Sequence, residues 1–171
     1  MDTNILFKIK PELKLINWLD PRHFLSLGFG SGLIPIAPGT FGSLAAIPVY
    51  WLMATYLSLS VYLAVTLVFA IVGFYLCGFT AQALKTHDHP GIVWDEVVGM
   101  LIALAFFPVT WKTVVIGFIY FRIFDIIKPW PINWLDRRVS GGVGIMADDL
   151  LAGVMAWITL YLTHTYIYSL Y

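Results

Sequence analysis

Long uncharged apolar runs alternate with short charged windows along this chain of 171 residues. No residue carries a full charge from His23 to Leu84, and none does from Leu150 to Tyr171. Uncharged apolar runs of about 18 residues or more are typical of helices that cross a membrane. The pattern therefore predicts an all-α, polytopic membrane helical bundle, with apolar segments at about 43–57, 61–84 and 150–168.

The topology depends on how the apolar stretch 97–121 is interpreted. A single crossing would place the acidic residues of 85–96 and of 122–149 on opposite sides of the membrane. Pro108 interrupts the stretch, and two halves of about 16 residues, each ~24 Å long, would return the chain to the same side. We prefer this hairpin, broken near Pro108, because the carboxylates must meet to form a site. The count is then about five membrane-embedded segments.

The composition supports a membrane protein. The chain is 60% hydrophobic and 12% charged, whereas soluble domains carry roughly 25% charged residues. The net charge is zero, which gives no electrostatic footprint for nucleic acid, and the single cysteine, Cys77, excludes an internal disulfide. Basic residues flank the apolar segments on one side, which the positive-inside rule makes cytoplasmic; they are Arg22, Lys85, Arg122, Lys128, Arg137 and Arg138.

The first 24 residues differ from the rest of the chain, because they combine charges with a helical apolar pattern. This pattern suits a short cytoplasmic or interfacial helix on the membrane surface, with a plain solvated tail as the alternative. Residues 25–171 are expected to form the membrane-embedded domain. The apolar positions at helical spacing are Ile5, Leu6, Ile9, Leu13 and Ile16.

Six carboxylates lie at the ends of apolar segments and are the main candidates for chemistry. Acidic groups next to hydrocarbon are costly and usually functional, and clustered carboxylates suit Mg²⁺. Helix capping is the alternative for any single acid. Asp88 is a candidate general acid or base, and the candidate Mg²⁺ ligands are Asp95, Glu96, Asp125, Asp148 and Asp149.

Basic residues near these acids are candidates to bind phosphate. Arg122, Asp125 and Lys128 are spaced three apart, so they share a helical face. Arginine grips phosphate through two N–H groups, and lysine acts as a point charge. Arg137 and Arg138 either bind the substrate or contact anionic lipid headgroups, and the sequence leaves both alternatives open.

A glycine-rich loop, PGTFGS at 38–43, precedes the first apolar segment. Its glycines would let the backbone approach a ligand closely. Thr40 is a candidate to contact phosphate, and Thr40 or Ser43 is a candidate cap for the helix that follows. A purely structural turn is the alternative.

Four motifs occur in the order PGTFGS, DHPGIVWDEVVG, FRIFDIIKPWPI and GGVGIMADDLLAG. Together, over about residues 25–165, they resemble the bacterial phosphatidylglycerophosphatase A family. The resemblance implies a multihelical enzyme of the inner membrane that removes the terminal phosphate from phosphatidylglycerophosphate with Mg²⁺. The product would be phosphatidylglycerol, in phospholipid biosynthesis, and the active site would face the cytoplasm.

In this interpretation residues 25–171 are a lipid phosphatase domain whose partners are its phospholipid substrate and membrane lipids. The catalytic residues would be Asp88, Asp95 and Asp125. Direct attack by water and a covalent intermediate on Thr40 both stay open. A small transporter that couples cations through the carboxylates is the alternative function, although it predicts acids near the middle of spans rather than at their ends.

Overall fold

The computed structural model describes residues 11–86 and 89–169, with side chains as far as Tyr166. These residues form two short 3-10 turns, seven α-helices and no β-strand, which confirms the all-α class. The helices are α1 (Pro21–Ser26), α2 (Pro38–Tyr56), α3 (Leu59–Leu84), α4 (Trp94–Leu104), α5 (Trp111–Ile127), α6 (Ile132–Asp136) and α7 (Gly141–Ser169).

Two of the described helices are long and apolar enough to cross a membrane. The mean hydropathy of an 18-residue window is 2.3 in α3 and 1.6 in Gly141–Tyr166 of α7. A full crossing needs about 20 apolar residues, whereas α4 has 11 residues and α5 has 17. The count of about five membrane-embedded segments therefore stays a prediction.

The chain before α1 packs against the rest of the protein. Pro11–Leu15 forms a 3-10 turn, and Leu13 and Ile16 are buried in one apolar cluster with Leu76 of α3. The remainder of the predicted surface helix, residues 1–10, lies outside the described residues.

The predicted break near Pro108 is confirmed. The first helix of the pair, α4, ends at Leu104, and α5 begins at Trp111. Thr110 caps the start of α5, because its hydroxyl accepts a hydrogen bond from the Thr113 amide at 3.2 Å. The chain reverses here, and α5 packs back against α4.

The short helix α4 lies at the centre of the bundle and contacts α2, α3, α5 and α7. Its residues Val97, Met100 and Leu101 are fully buried, as expected of a helix that is apolar on every side. The Tyr62 hydroxyl of α3 donates a hydrogen bond to the Leu101 carbonyl at 2.6 Å, which satisfies one of the acceptors left unpaired at the end of α4. The contacts with these four helices hold α4, including its first turn, in a fixed position.

The backbones of α4 and α7 approach each other at two glycines. A Cβ added to Gly153 would lie 2.5 Å from the Gly99 carbonyl oxygen, and one added to Gly99 would lie 2.9 Å from that of Asp149. Small residues allow such close packing between helices in membranes. The contact places Asp149 beside the beginning of α4.

Gly153→Ala is expected to destabilise the protein by about 1–3 kcal/mol. The new methyl group would meet a backbone carbonyl rather than a movable side chain, so the two helices must separate. Thermal unfolding of the purified protein in detergent measures the change. Val154→Ala is the control, because Val154 is 41% exposed; equal unfolding temperatures for the two variants would contradict the prediction.

Candidate active site

Three carboxylates meet where α4 and α7 touch. Asp95 and Glu96 lie in the first turn of α4, and Asp149 comes from α7. One carboxylate oxygen from each residue lies within 4.8 Å of the others. Asp95 is 8% exposed and Asp149 is 3% exposed, so the group of three (the carboxylate cluster) is largely shielded from solvent.

The carboxylate cluster has unsatisfied acceptors. Asp95 Oδ1, Glu96 Oε2 and Asp149 Oδ2 are buried without a hydrogen-bond partner. Buried acids are costly unless they are paired or coordinate a metal, so these three fit a hard divalent cation.

An arginine and a fourth carboxylate stand next to the cluster. Arg122 Nη1 lies 2.5 Å from Asp125 Oδ2 and donates a hydrogen bond to the Ser43 hydroxyl at 3.3 Å. The Asp125 side chain interacts electrostatically with Glu96 and Asp149. The Nε of Arg122 is buried without a partner, so the guanidinium retains a donor for an anionic group.

The glycine-rich motif PGTFGS forms the first turns of α2 rather than the predicted loop, and it reaches this site through Gly39. A Cβ added to Gly39 would lie 2.3 Å from Glu96 Oε1 and 3.3 Å from Arg122 Nη1. Thr40 follows in the same turn and is half-buried. Gly39 therefore lets the backbone approach protein side chains of the site, while the predicted approach to a ligand stays a prediction.

The expectation that Thr40 or Ser43 caps the following helix is wrong. The helix α2 already begins at Pro38, where a missing N–H is harmless, and Ala37 is its N-cap without a side-chain hydrogen bond. The Ser43 hydroxyl instead donates to the Gly39 carbonyl at 2.9 Å and accepts from Arg122.

Lys128 is held between two carboxylates. Its Nζ donates hydrogen bonds to Asp136 Oδ1 at 2.7 Å and to Asp148 Oδ2 at 2.5 Å. Burial lowers the pKa of Lys128, but these two hydrogen bonds outweigh it and raise the pKa above its ordinary value. Asp148 therefore contacts Lys128, whereas its neighbour Asp149 enters the carboxylate cluster.

Three sequence candidates remain, and two of them belong to the described residues. Asp88 is outside the described residues. Arg137 and Arg138 are exposed, beyond the end of α6, and Arg138 lies over the Trp134 ring at 4.7 Å from its centroid.

Two polar residues of this region were not predicted from the sequence. Ser43 supports Arg122, and Asp136 pairs with Lys128. Ser43 belongs to the motif PGTFGS, which is a weak signal for a functional residue. No feature of the sequence singles out Asp136.

The match of residues 24–164 to the family model described as Phosphatidylglycerophosphatase A identifies the family. The chain belongs to the phosphatidylglycerophosphatase A family. A protein of that name from Escherichia coli (strain K12) is 51% identical over 153 residues, which cover 89% of this chain and 87% of the relative. Another protein of that name, from Haemophilus influenzae, is 44% identical over 150 residues, which cover 87% of this chain and 92% of the relative.

A third relative, from Bacteroides thetaiotaomicron, carries the provisional name phosphatidylinositol-3-phosphatase and is 37% identical over 143 residues, which cover 80% of this chain and 89% of the relative. No solved structure matches the chain. The region that matches the phosphatidylglycerophosphatase A family contains the carboxylate cluster, Arg122, Asp125 and Gly39. It starts after the first 23 residues, so the N-terminal segment lies outside it.

Proposed function

We propose that this protein is a Mg²⁺-dependent lipid phosphatase that converts phosphatidylglycerophosphate to phosphatidylglycerol and phosphate, in bacterial phospholipid biosynthesis. The observation that carries the proposal is the carboxylate cluster beside Arg122, in a chain of the phosphatidylglycerophosphatase A family. The names of the relatives indicate the substrate, and the carboxylate oxygens of the site indicate the metal. The transporter alternative has no support from the family.

Mg²⁺ would be held by Asp95, Glu96 and Asp149. Each of them has a buried oxygen without a partner, and oxygen ligands from carboxylates are those that Mg²⁺ prefers. Bound there, the metal would neutralise charge on the phosphate oxygens and activate a water. Asp125 stands at the edge of this group, where it would complete the set of metal ligands or act as a general base. Asp148 would bind the metal only if its hydrogen bond to Lys128 broke.

The phosphate would be oriented by Arg122, whose buried Nε lacks a partner. Ser43 and Asp125 both contact Nη1 of the guanidinium, so it would meet the substrate already ordered. Lys128 would contribute positive charge from its position between two acids. Thr40, next to Gly39, would contact a phosphate oxygen.

Proton transfer would fall to a carboxylate that is not bound to metal. Asp125 is the candidate to take a proton from the attacking water at Oδ1, because Arg122 already occupies its Oδ2. Asp88 stays a candidate for protonating the leaving group. Both attack by water and attack by Thr40 are compatible with this arrangement.

We further propose that the protein is a multi-pass protein of the inner membrane, with its active site at the cytoplasmic face. The helices α2, α3 and α7 would cross, while α4 and α5 would enter and return at the break near Pro108. The basic residues at the ends of these helices favour the cytoplasmic side. A lipid phosphate would then reach the cluster while its acyl chains stay in the leaflet.

Purified protein is expected to release phosphate from phosphatidylglycerophosphate when Mg²⁺ is present and to stop when EDTA is added. Phosphatidic acid and phosphatidylinositol 3-phosphate, assayed in parallel, measure the headgroup preference. Equal rates on all three lipids would broaden the substrate to lipid phosphomonoesters. Undiminished phosphate release in EDTA would overturn the metal proposal.

A further inference from the structure

A surface cavity of about 490 Å³ lies beside α6, separate from the carboxylate cluster. Trp130 and Trp134 in its wall are 79% and 49% exposed. Two guanidinium groups, one amide and two indole rings face this cavity. Its lining residues are Trp130, Asn133, Trp134, Arg137 and Arg138.

The lining of the cavity contains two arginines and no acid. Asp136, the acid of α6, pairs with Lys128 at 2.7 Å rather than with either arginine. In the described parts of the chain, no ion pair includes Arg137 or Arg138. Arg138 stacks on the Trp134 ring at 4.7 Å, and stacking on an aromatic face leaves the edge of a guanidinium open to an anion.

The surroundings of the cavity are those of a membrane interface. Ile126 and Ile127, at the end of α5, are each 68% exposed. Ile132 is fully buried and anchors α6 to the bundle, so the exposed indoles keep a fixed position. Exposed tryptophans and isoleucines beside arginines are typical of surfaces that lie among lipid headgroups.

We propose that this cavity binds the headgroup of an anionic phospholipid. Arg137 and Arg138 would hold the phosphodiester, since guanidinium groups pair with phosphate through two parallel hydrogen bonds. Trp130 and Trp134 would contact the glycerol region next to it. The two arginines are thereby assigned to a membrane lipid rather than to the reacting phosphate. The proposal does not depend on the reaction that the carboxylate cluster performs.

The test measures lipid binding to the full-length protein in detergent by native mass spectrometry. Phosphatidylserine and phosphatidylcholine are the probes, because neither is a phosphomonoester nor the product proposed above. The wild-type protein is expected to prefer phosphatidylserine by roughly tenfold, and R137Q/R138Q is expected to lose this preference. An unchanged preference in R137Q/R138Q would overturn the proposal.

Arg22→Gln is the matched control. Arg22 is also a surface arginine stacked on an aromatic ring, at 4.0 Å from the Phe79 centroid, but its charge is paired with Asp20. Arg22→Gln is expected to retain the wild-type preference for phosphatidylserine. Loss of this preference in Arg22→Gln would contradict the assignment of lipid binding to Arg137 and Arg138. The single variants Arg137→Gln and Arg138→Gln replace the double variant if it does not fold.

A second arm distinguishes a lipid from a free anion. Excess inorganic phosphate is expected to leave phosphatidylserine bound, because the indoles add contacts that phosphate lacks. Displacement by phosphate would overturn the assignment to a lipid. Failure of phosphatidylglycerophosphate hydrolysis would leave all these binding results unaffected, so the two proposals fail separately.

Discussion

Asp95→Asn is expected to reduce phosphate release from phosphatidylglycerophosphate by about a thousandfold or more, which corresponds to ~4 kcal/mol of transition-state stabilisation. The substitution keeps the size of the side chain but removes the charge of a proposed metal ligand. Asp20→Asn is the control for loss of an aspartate, because Asp20 pairs with Arg22 outside the site. Full activity of Asp95→Asn at saturating Mg²⁺ would remove Asp95 from the mechanism.

Thermal unfolding separates a role in metal binding from a role in folding. Without metal, Asp95→Asn relieves repulsion among three buried carboxylates, so the unfolding temperature in EDTA should be at least that of the wild type. Mg²⁺ should raise the unfolding temperature of the wild type, since a ligand that binds only the folded state stabilises it. In the variant this increase should be lost. A variant that unfolds earlier in EDTA would instead point to a structural role.

Gly39→Ala is expected to lower the turnover rate by about a hundredfold, or ~3 kcal/mol, while the protein stays folded. The new Cβ would overlap Glu96 Oε1 at 2.3 Å and crowd Arg122 Nη1 at 3.3 Å. The ends of both side chains are movable, so they would shift rather than unfold the helices. Displacement of the groups that hold metal and phosphate costs far more in rate than in stability.

Gly117→Ala is the matched control for adding a methyl group to a packed glycine. Its Cβ would lie 2.5 Å from Leu104 Cδ2 and 3.3 Å from Leu160 Cδ2, in the apolar part of the bundle. This variant is expected to lose stability but to keep its rate per folded molecule. Similar rates in Gly39→Ala and the wild type would show that Glu96 need not hold its position.

The sequence was sufficient to predict which carboxylates come together. Paired acids at the ends of apolar runs marked Asp95, Glu96 and Asp149, and Pro108 marked the reversal that returns Asp125 towards them. These signals are local. A charge beside hydrocarbon, or a proline in an apolar run, costs free energy whatever the fold of the rest of the chain. Their roles in catalysis stay predictions.

The sequence was not sufficient to predict how neighbouring side chains divide between partners. Asp148 and Asp149 point about 100° apart on a helix, and the rotation of α7 decides which one enters the cluster. That rotation follows from the contact between Gly99 and Gly153, which joins residues distant in sequence. The pairing of Lys128 with Asp136 is close in sequence, but it depends on the turn after α5 and has no sequence signature.

The contact between α4 and α7 also has a consequence for biogenesis. During synthesis α4 emerges before α7, and until then one face of this short helix has no protein neighbour. A helix of 11 residues is too short to remain in a bilayer unaided, and its acidic first turn adds to the cost. The proposed insertion of α4 should therefore wait for α7, so a nascent chain truncated before Gly141 should expose the α4 region to the aqueous side.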